Sequence, residues 1–239
     1  MGRTRRLELQ DQNLLEFQAT VISASSEGIV LDRSAFYPGG GGQPPDWGAL
    51  AFDGVLCRIE GARKSDDLYL IPRAGDPLPS PGAVVTGLVD AGRRLSLMRT
   101  HSALHLLSGV VFRDFGALVT GGNMEPLSAR LDFNLESVPA GFRDDLERLC
   151  NLEVSLDRAI EVFVLDRQEA MKIPDVIRTA SNLLPPGLEV VRIVDIVGLD
   201  TQADGGTHVA STAQVGEVSI VKVENKGKGF RRIRIALRP

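Results

Sequence analysis

The chain has 239 residues, 43% hydrophobic and 24% charged, an ordinary balance for a globular protein and enough for one large core or two modest ones. No apolar run approaches the ~20 residues that cross a bilayer, and Met1-Gly-Arg-Thr-Arg-Arg6 is not followed by a signal-type apolar core, so no membrane partner is expected and a cytoplasmic protein is. The net charge of −4 argues against a general polyanion binder, yet Lys222 to Pro239 carries seven Lys or Arg and one Glu, +6 in all, which leaves −10 on the remainder.

The first 90 residues read as many short strands. Phe17–Ile22 and Gly28–Leu31 are β-rich and separated by the polar turn Ser23 to Glu27, and further strands are expected at Ala49–Phe52, Val55–Ile59, Leu68–Ile71 and around Val84–Val89. Between them lies Phe36-Tyr-Pro-Gly-Gly-Gly-Gly-Gln-Pro-Pro-Asp-Trp-Gly48. Four consecutive glycines support neither helix nor strand, so this is a loop whose backbone is free to approach something closely. The alternative is a flexible linker, against which Phe36, Tyr37 and Trp47 argue, because linkers carry few large aromatics. Short strands with frequent turns indicate a small barrel or sandwich over 1–90, ending at Asp90-Ala-Gly92.

The second half, 91–239, mixes helices and strands. Leu95 to Phe112 is rich in Leu, Ala, Met and Val without proline and is expected to be a helix. A Gly/Asn-rich turn is expected from Gly116 to Asn123, then a strand at Leu127–Phe133 and an amphipathic helix over Gly141–Leu152 in which Phe142, Leu146, Leu149 and Leu152 recur at helical spacing. Ile160–Leu165 reads as a strand, Asp166–Lys172 as a short helix capped by Asp166, and Ile177–Leu184 as another helix. Val190–Val197 returns as a strand, and Val215–Val223 and Arg231–Leu237 as a hairpin joined by Glu224 to Phe230. The resulting class is α+β. Cys57 and Cys150, each set among apolar residues, are expected to be buried reduced thiols.

All three histidines fall in two short stretches, Arg99-Thr-His-Ser-Ala-Leu-His105 and Asp204-Gly-Gly-Thr-His208. His101 and His105, four apart on a helix, project from one face, a common way to present two imidazoles to one ion. Asp204 and His208 share that spacing around two glycines, which points to a tight turn beyond the strand Val190–Val197. Each histidine alone reads more readily as a structural residue than as a ligand; a chain that spends every histidine at ligand spacing reads as a metal site. Convergence of the pairs gives three imidazoles and a carboxylate, a donor set for zinc or a similar divalent ion. The zinc-protease pattern His-Glu-x-x-His is absent, since its glutamate position is Ser102. The basic stretch from Lys222 onward reads either as a footprint for a phosphate backbone or as the solvated face of a terminal hairpin.

The helix His101-x-x-x-His105, the strand Ala129-Arg-Leu-Asp-Phe133, Gly205-Gly-Thr-His-Val209 with Thr212 and Val215-Gly-Glu-Val218, and the terminal Gly-x-Gly-Phe-Arg-Arg-Ile together resemble the editing domain of alanyl-tRNA synthetases. Asp32-Arg-Ser-Ala-Phe-Tyr-Pro with Gly-Gly-Gly-Gln-Pro resembles the glycine-rich barrel domain that precedes it. With both domains and no aminoacylation module, the chain is similar to the free-standing, medium-length alanyl-tRNA editing proteins (AlaX type). That resemblance implies a β-barrel followed by a two-layer α+β editing domain. It implies a hydrolase that removes serine, and glycine as well, from mischarged tRNA(Ala), assisted by one zinc ion on His101, His105, Asp204 and His208. It further implies that Gly205 and Gly206 offer backbone N–H groups to an oxyanion or the terminal adenosine, that Thr120 sits where such domains carry the side chain that recognises the serine hydroxyl, and that Gly40, Gly41, Gly42, Gln43, Lys226, Lys228, Arg231 and Arg232 contact tRNA. The family usually has cysteine where this chain has Asp204, so the ligand set is harder here. The alternatives are a tRNA-binding module that has lost chemistry through Asp204, and an unrelated metal hydrolase of small esters or amides.

Overall fold

The computed structural model describes residues 4–174, 176–179 and 187–238. The chain forms two compact units, Met1–Leu95 and Ser96–Pro239; the division falls inside the helix Ala91–Phe115.

In the first unit a short parallel pair, β1 (Arg5–Arg6) with β4 (Arg33–Ser34), accompanies a closed six-stranded barrel. The barrel strands are β2 (Glu16–Ser25), β3 (Gly28–Leu31), β5 (Gly48–Phe52), β6 (Val55–Lys64), β7 (Leu68–Pro72) and β8 (Val84–Val89), in the order β2-β3-β7-β6-β5-β8. Alternation along β2 decides which face is inside: Phe17, Ala19 and Val21 are buried while Glu16, Gln18 and Thr20 face water. The Phe17 ring lies across β8 at Gly87, where a Cβ would come within 2.3 Å of the ring. A side chain there would force the aromatic out of the core.

The glycine-rich loop is a tight turn rather than a flexible tether. Gly40 and Gln43 exchange two backbone hydrogen bonds of 3.0 Å, and Gly41 and Gly42 between them both have positive φ, +60° and +88°. Only glycine takes up such a pair without strain. The end of the loop is clamped by Arg94 and Asp46, both almost wholly buried. Arg94 Nε donates to both Asp46 oxygens at 3.1 and 3.0 Å, its Nη1 donates to Gln12 O at 2.7 Å and its Nη2 to Ala35 O at 2.6 Å. Asp46 in turn accepts the Tyr37 N–H at 2.7 Å. A buried ion pair is costly to desolvate, and this one is tolerated because nearly every donor and lone pair is used.

The second unit is built on α1 (Ala91–Phe115). Every residue from Thr100 to Val111 is buried, as expected of a helix apolar on all sides. The other elements are β9 (Val119–Glu125), β10 (Ser128–Phe133), α2 (Phe142–Ser155), β11 (Ile160–Asp166), α3 (Arg167–Ala170), β12 (Val190–Ile196), β13 (Asp200–Ala203), β14 (Val218–Asn225) and β15 (Arg231–Leu237). They form two antiparallel sheets, β14-β15-β10-β9 and β11-β12-β13. Leu97, Leu107 and Val111 of α1 share one core with Phe133 and Ile233 of the larger sheet and Val194 and Ile196 of the smaller. The class is α+β, as the alternation of elements indicates. Cys57 and Cys150 are buried and free, as expected.

Several local expectations need correction. The Gly/Asn-rich stretch from Gly116 to Asn123 is not simply a turn: from Val119 it is strand β9, paired with β10 through Gly121↔Asp132 and Gly122↔Leu131. A Cβ on Gly122 would lie 2.8 Å from Leu131 Cδ2, so the glycine makes room for a core leucine. Residues Ile177–Thr179 are extended, not helical, because Val119 N donates to Arg178 O at 3.2 Å and bridges to Thr179; the rest of the helix expected to Leu184 lies outside the described residues. Asp166 precedes α3 but makes no side-chain capping bond. Strand β13, just before Asp204, has no counterpart among the elements expected from periodicity.

Replacing Arg94 with Met should destabilise the protein by about 3–5 kcal/mol in urea titrations, since it strands the buried Asp46 charge. The double variant Arg94→Met/Asp46→Leu should recover much of that loss.

Candidate metal centre

Helical spacing puts His101 and His105 one above the other on α1, with ring centroids 5.2 Å apart. The opposite side comes from the loop after β13, whose start is fixed when Asp204 N donates to Arg192 O at 3.1 Å. Gly205 and Gly206 then let the chain turn tightly enough for His208 to stack 4.4 Å from His101 and meet His105 edge-on at 4.8 Å. All three rings direct Nε2 at the Asp204 carboxylate: His208 Nε2 lies 3.1 Å from Oδ2, His101 Nε2 3.5 Å and His105 Nε2 4.0 Å from Oδ1. The four donor groups lie within 4.8 Å of one another.

This donor set fits a zinc-type ion. Tetrahedral bonds of roughly 2.0–2.2 Å put neighbouring donors about 3.3–3.5 Å apart, and the observed separations bracket that value. The protonation preferences of two of the three rings are compatible with ligation. Burial lowers His101 to about 4 and His208 well below its ordinary value, so both rings are uncharged at neutral pH. Burial also pulls His105 down, but the adjacent carboxylates of Asp200 and Asp204 outweigh it and raise the ring. Burial alone would raise the Asp204 carboxyl; the neighbouring His101 and the His208 hydrogen bond hold it well below the usual carboxylate range.

The two glycines play different parts. Gly206 N–H donates to Asp204 Oδ2 at 2.6 Å, which fixes the carboxylate and makes that N–H unavailable to an oxyanion, contrary to the expectation for Gly206. Gly205 is exposed, its N–H makes no hydrogen bond among the described residues, and nothing lies within 4 Å of where a Cβ would be. Thr120 is exposed on β9 rather than in a turn, and its hydroxyl makes no hydrogen bond among the described residues.

Four further contributors are not singled out by the sequence. Ser102, which stands at the position of the absent protease glutamate, has its Oγ 3.2 Å from His208 Nδ1 and accepts Val209 N–H at 3.2 Å. Asp200 places Oδ2 3.2 Å from His105 Nδ1. Arg178 stands 3.4 Å from the other oxygen of Asp200. Arg192 donates to Asp204 O at 3.1 Å and keeps its guanidinium 4.0 Å from the carboxylate. Only Ser102 carries a signal, its place between the two helix histidines; Asp200 and Arg192 enter through their strands and Arg178 through the segment beside β9.

The basic stretch is largely paired within the larger sheet. Arg232 makes two 2.7 Å bonds to Asp132, Arg234 and Lys222 bind Glu224 at 2.7 and 3.0 Å, and Arg238 reaches Glu217 at 3.1 Å. Arg231 is held by neutral acceptors, Glu136 O at 2.7 Å and Asn225 Oδ1 at 3.3 Å. Lys226 and Lys228 are exposed at the tip of the β14–β15 hairpin and have no carboxylate partner among the described residues. The cations of this stretch without a carboxylate partner among the described residues are therefore Lys226, Lys228 and Arg231. In the first unit, Gly41 and Gly42 are exposed, while Gln43 is buried and closes the turn.

Fold and cluster together define a class. Residues 191–234, which hold Asp204, Gly205, Gly206 and His208, match the family described as Threonyl and Alanyl tRNA synthetase second additional domain. Over the whole chain the similarity is more specific. The protein is 36% identical over 243 residues to the Alanyl-tRNA editing protein AlaX-M of Saccharolobus solfataricus, covering 99% of this chain and all of that one. It is 32% identical to the AlaX-M protein of Methanosarcina barkeri, covering 98% of this chain and 99% of that one. It is also 35% identical to the Alanine--tRNA ligase of Thermofilum pendens, covering 96% of this chain but 26% of the ligase. The chain belongs to the AlaX-M family of alanyl-tRNA editing proteins.

Proposed function

We propose that this protein hydrolyses the ester bond between a wrongly attached amino acid, chiefly serine and also glycine, and the terminal ribose of tRNA(Ala). The observation that carries the reading is the end-to-end match to proteins named for alanyl-tRNA editing, and the buried cluster of three imidazoles and a carboxylate supplies a chemistry for it. His101, His105, Asp204 and His208 would hold a zinc-type ion, which when bound supplies Lewis-acid polarisation and a lowered pKa for water.

The chain's own residues do the rest. Asp204 balances the cationic surroundings of a buried site, and Gly206 N–H keeps its carboxylate aimed at the rings. Gly205, with an open N–H beside them, is the backbone donor suited to charge developing on the ester carbonyl oxygen. Aspartate is a competent anionic ligand, so the change from the family's usual cysteine keeps the formal charge of the donor set and replaces a soft donor with a hard one. The exposed hydroxyl of Thr120 is free to meet a substrate hydroxyl, and a pocket that pairs the serine OH leaves alanine with an unpaired polar partner. Lys226, Lys228, Arg231 and Arg232 of the hairpin, with the loop Gly40, Gly41, Gly42 and Gln43, form the tRNA-contacting set. Arg232 serves it through its bond to Asp132 by holding β15 in register.

Purified protein should release serine from Ser-tRNA(Ala) and leave Ala-tRNA(Ala) intact. Chelation or Asp204→Ala should abolish release, and Asp204→Cys should retain it with bound zinc. Tight tRNA binding without turnover in any metal-loaded form would instead favour a binding module. If the hairpin tip meets phosphates, neutralising Lys226, Lys228 and Arg231 together should flatten the log-log salt dependence of tRNA affinity by up to about 2–3, at roughly 0.7–0.9 for each phosphate no longer neutralised. An unchanged slope would remove the hairpin tip from the interface.

A further inference from the structure

We infer that Asp200 is a positioning residue that fixes the ring of His105, donating no ligand itself but selecting which nitrogen of that histidine faces the cluster. The zinc arm of the inference rests on the metal reading above; the ring geometry does not.

Asp200 is almost fully buried, and its carboxylate is addressed from three sides. Oδ2 lies 3.2 Å from His105 Nδ1 and accepts a 2.6 Å hydrogen bond from Gln202 Nε2, which also reaches Ser108 Oγ on α1 at 3.3 Å. Oδ1 lies 3.4 Å from Arg178 Nε. The Arg178 guanidinium is itself held 3.9 Å over the Phe112 ring of α1. The result is a buried series, Arg178 to Asp200 to His105, whose far end is Nε2 of His105 pointing at Asp204.

The main chain is shaped for this approach. Gly109 stands one helical turn after His105 on the same face of α1, and a Cβ there would be 2.9 Å from both Asp200 Cβ and Leu199 Cγ. The missing side chain is what lets β13 come near enough for a short aspartate to reach the ring. A carboxylate at Nδ1 favours the tautomer with its proton on Nδ1, which leaves the Nε2 lone pair toward the shared centre; carboxylate–histidine pairs of this kind tune metal ligands. The contacts are close but not aligned, since His105 Nδ1, Asp200 Oδ1 and Arg178 Nε complete no well-directed hydrogen bond among the described residues. Catalytic constellations commonly tighten only when loaded.

The test uses the full chain, Asp200→Asn, and Gly109→Ala, which keeps the carboxylate but pushes it away. Long-range proton–nitrogen spectra of the metal-free protein at pH ~9, where histidine is neutral, should show His105 protonated on Nδ1, and both variants should shift it toward Nε2 while the His101 and His208 signals stay put. Competition against a chromophoric chelator should show zinc bound about 10- to 100-fold more weakly by both variants. An Nε2-protonated His105 in the parent protein, or unchanged ring signals and zinc affinity in the variants, would overturn the assignment. If the parent protein binds no zinc, the metal reading falls and the ring spectra alone decide the role of Asp200; if one variant does not fold, the other is read.

Discussion

Much of the second unit is arranged around a carboxylate largely withdrawn from water. Asp204 lies among three imidazoles, a backbone N–H and an arginine, and an isolated carboxylate in such a place would be driven to protonate. The elements around it supply the compensation. The buried middle of helix α1 carries two rings, the turn through Gly205 and Gly206 carries the third, and β12 brings Arg192 to the main chain of Asp204. Removing any of these leaves charge or lone pairs facing each other without a partner. The arrangement makes sense as a receptor for a cation, which satisfies the carboxylate and all three lone pairs together.

The position of the site follows from the fold. The segment Thr100–Val111 of α1, buried on every face, is held rigidly by packing, so the two histidines on it have little freedom to drift. The opposing loop has the reverse problem, since a turn containing two glycines is intrinsically loose. Its compensation is local: Gly206 N–H ties back to Asp204, Val209 N–H ties to Ser102 on the helix, and Asp204 N–H ties to β12. The site therefore joins a rigid half to a half that hydrogen bonds make rigid.

Periodicity carries most of the fold. Period-two alternation in β2 and β6 and the apolar run of α1 are visible without coordinates, and so are the two histidine stretches, because a sparse residue type at ligand spacing is conspicuous. What stays hidden has a common cause. Glycines at 121 and 122 signal a turn locally, yet they lie in a strand because Leu131 needs the space at Gly122. Asp200 and Arg178 are ordinary charged residues in sequence and acquire meaning only when β13 docks against Gly109. The basic terminus misleads in the other direction: of its seven cations, four meet Asp132, Glu217 or Glu224 in the folded chain and three have no carboxylate partner among the described residues, which no one-dimensional count reveals.

The most direct test of the metal centre is zinc-edge X-ray absorption on protein purified with zinc. One zinc per chain is expected, in a shell of imidazole nitrogen and carboxylate oxygen at about 2.0–2.2 Å with no sulfur at about 2.3 Å, because both cysteines are buried elsewhere. A sulfur shell, or zinc that stays bound after Asp204 and His208 are both replaced by alanine, would contradict it.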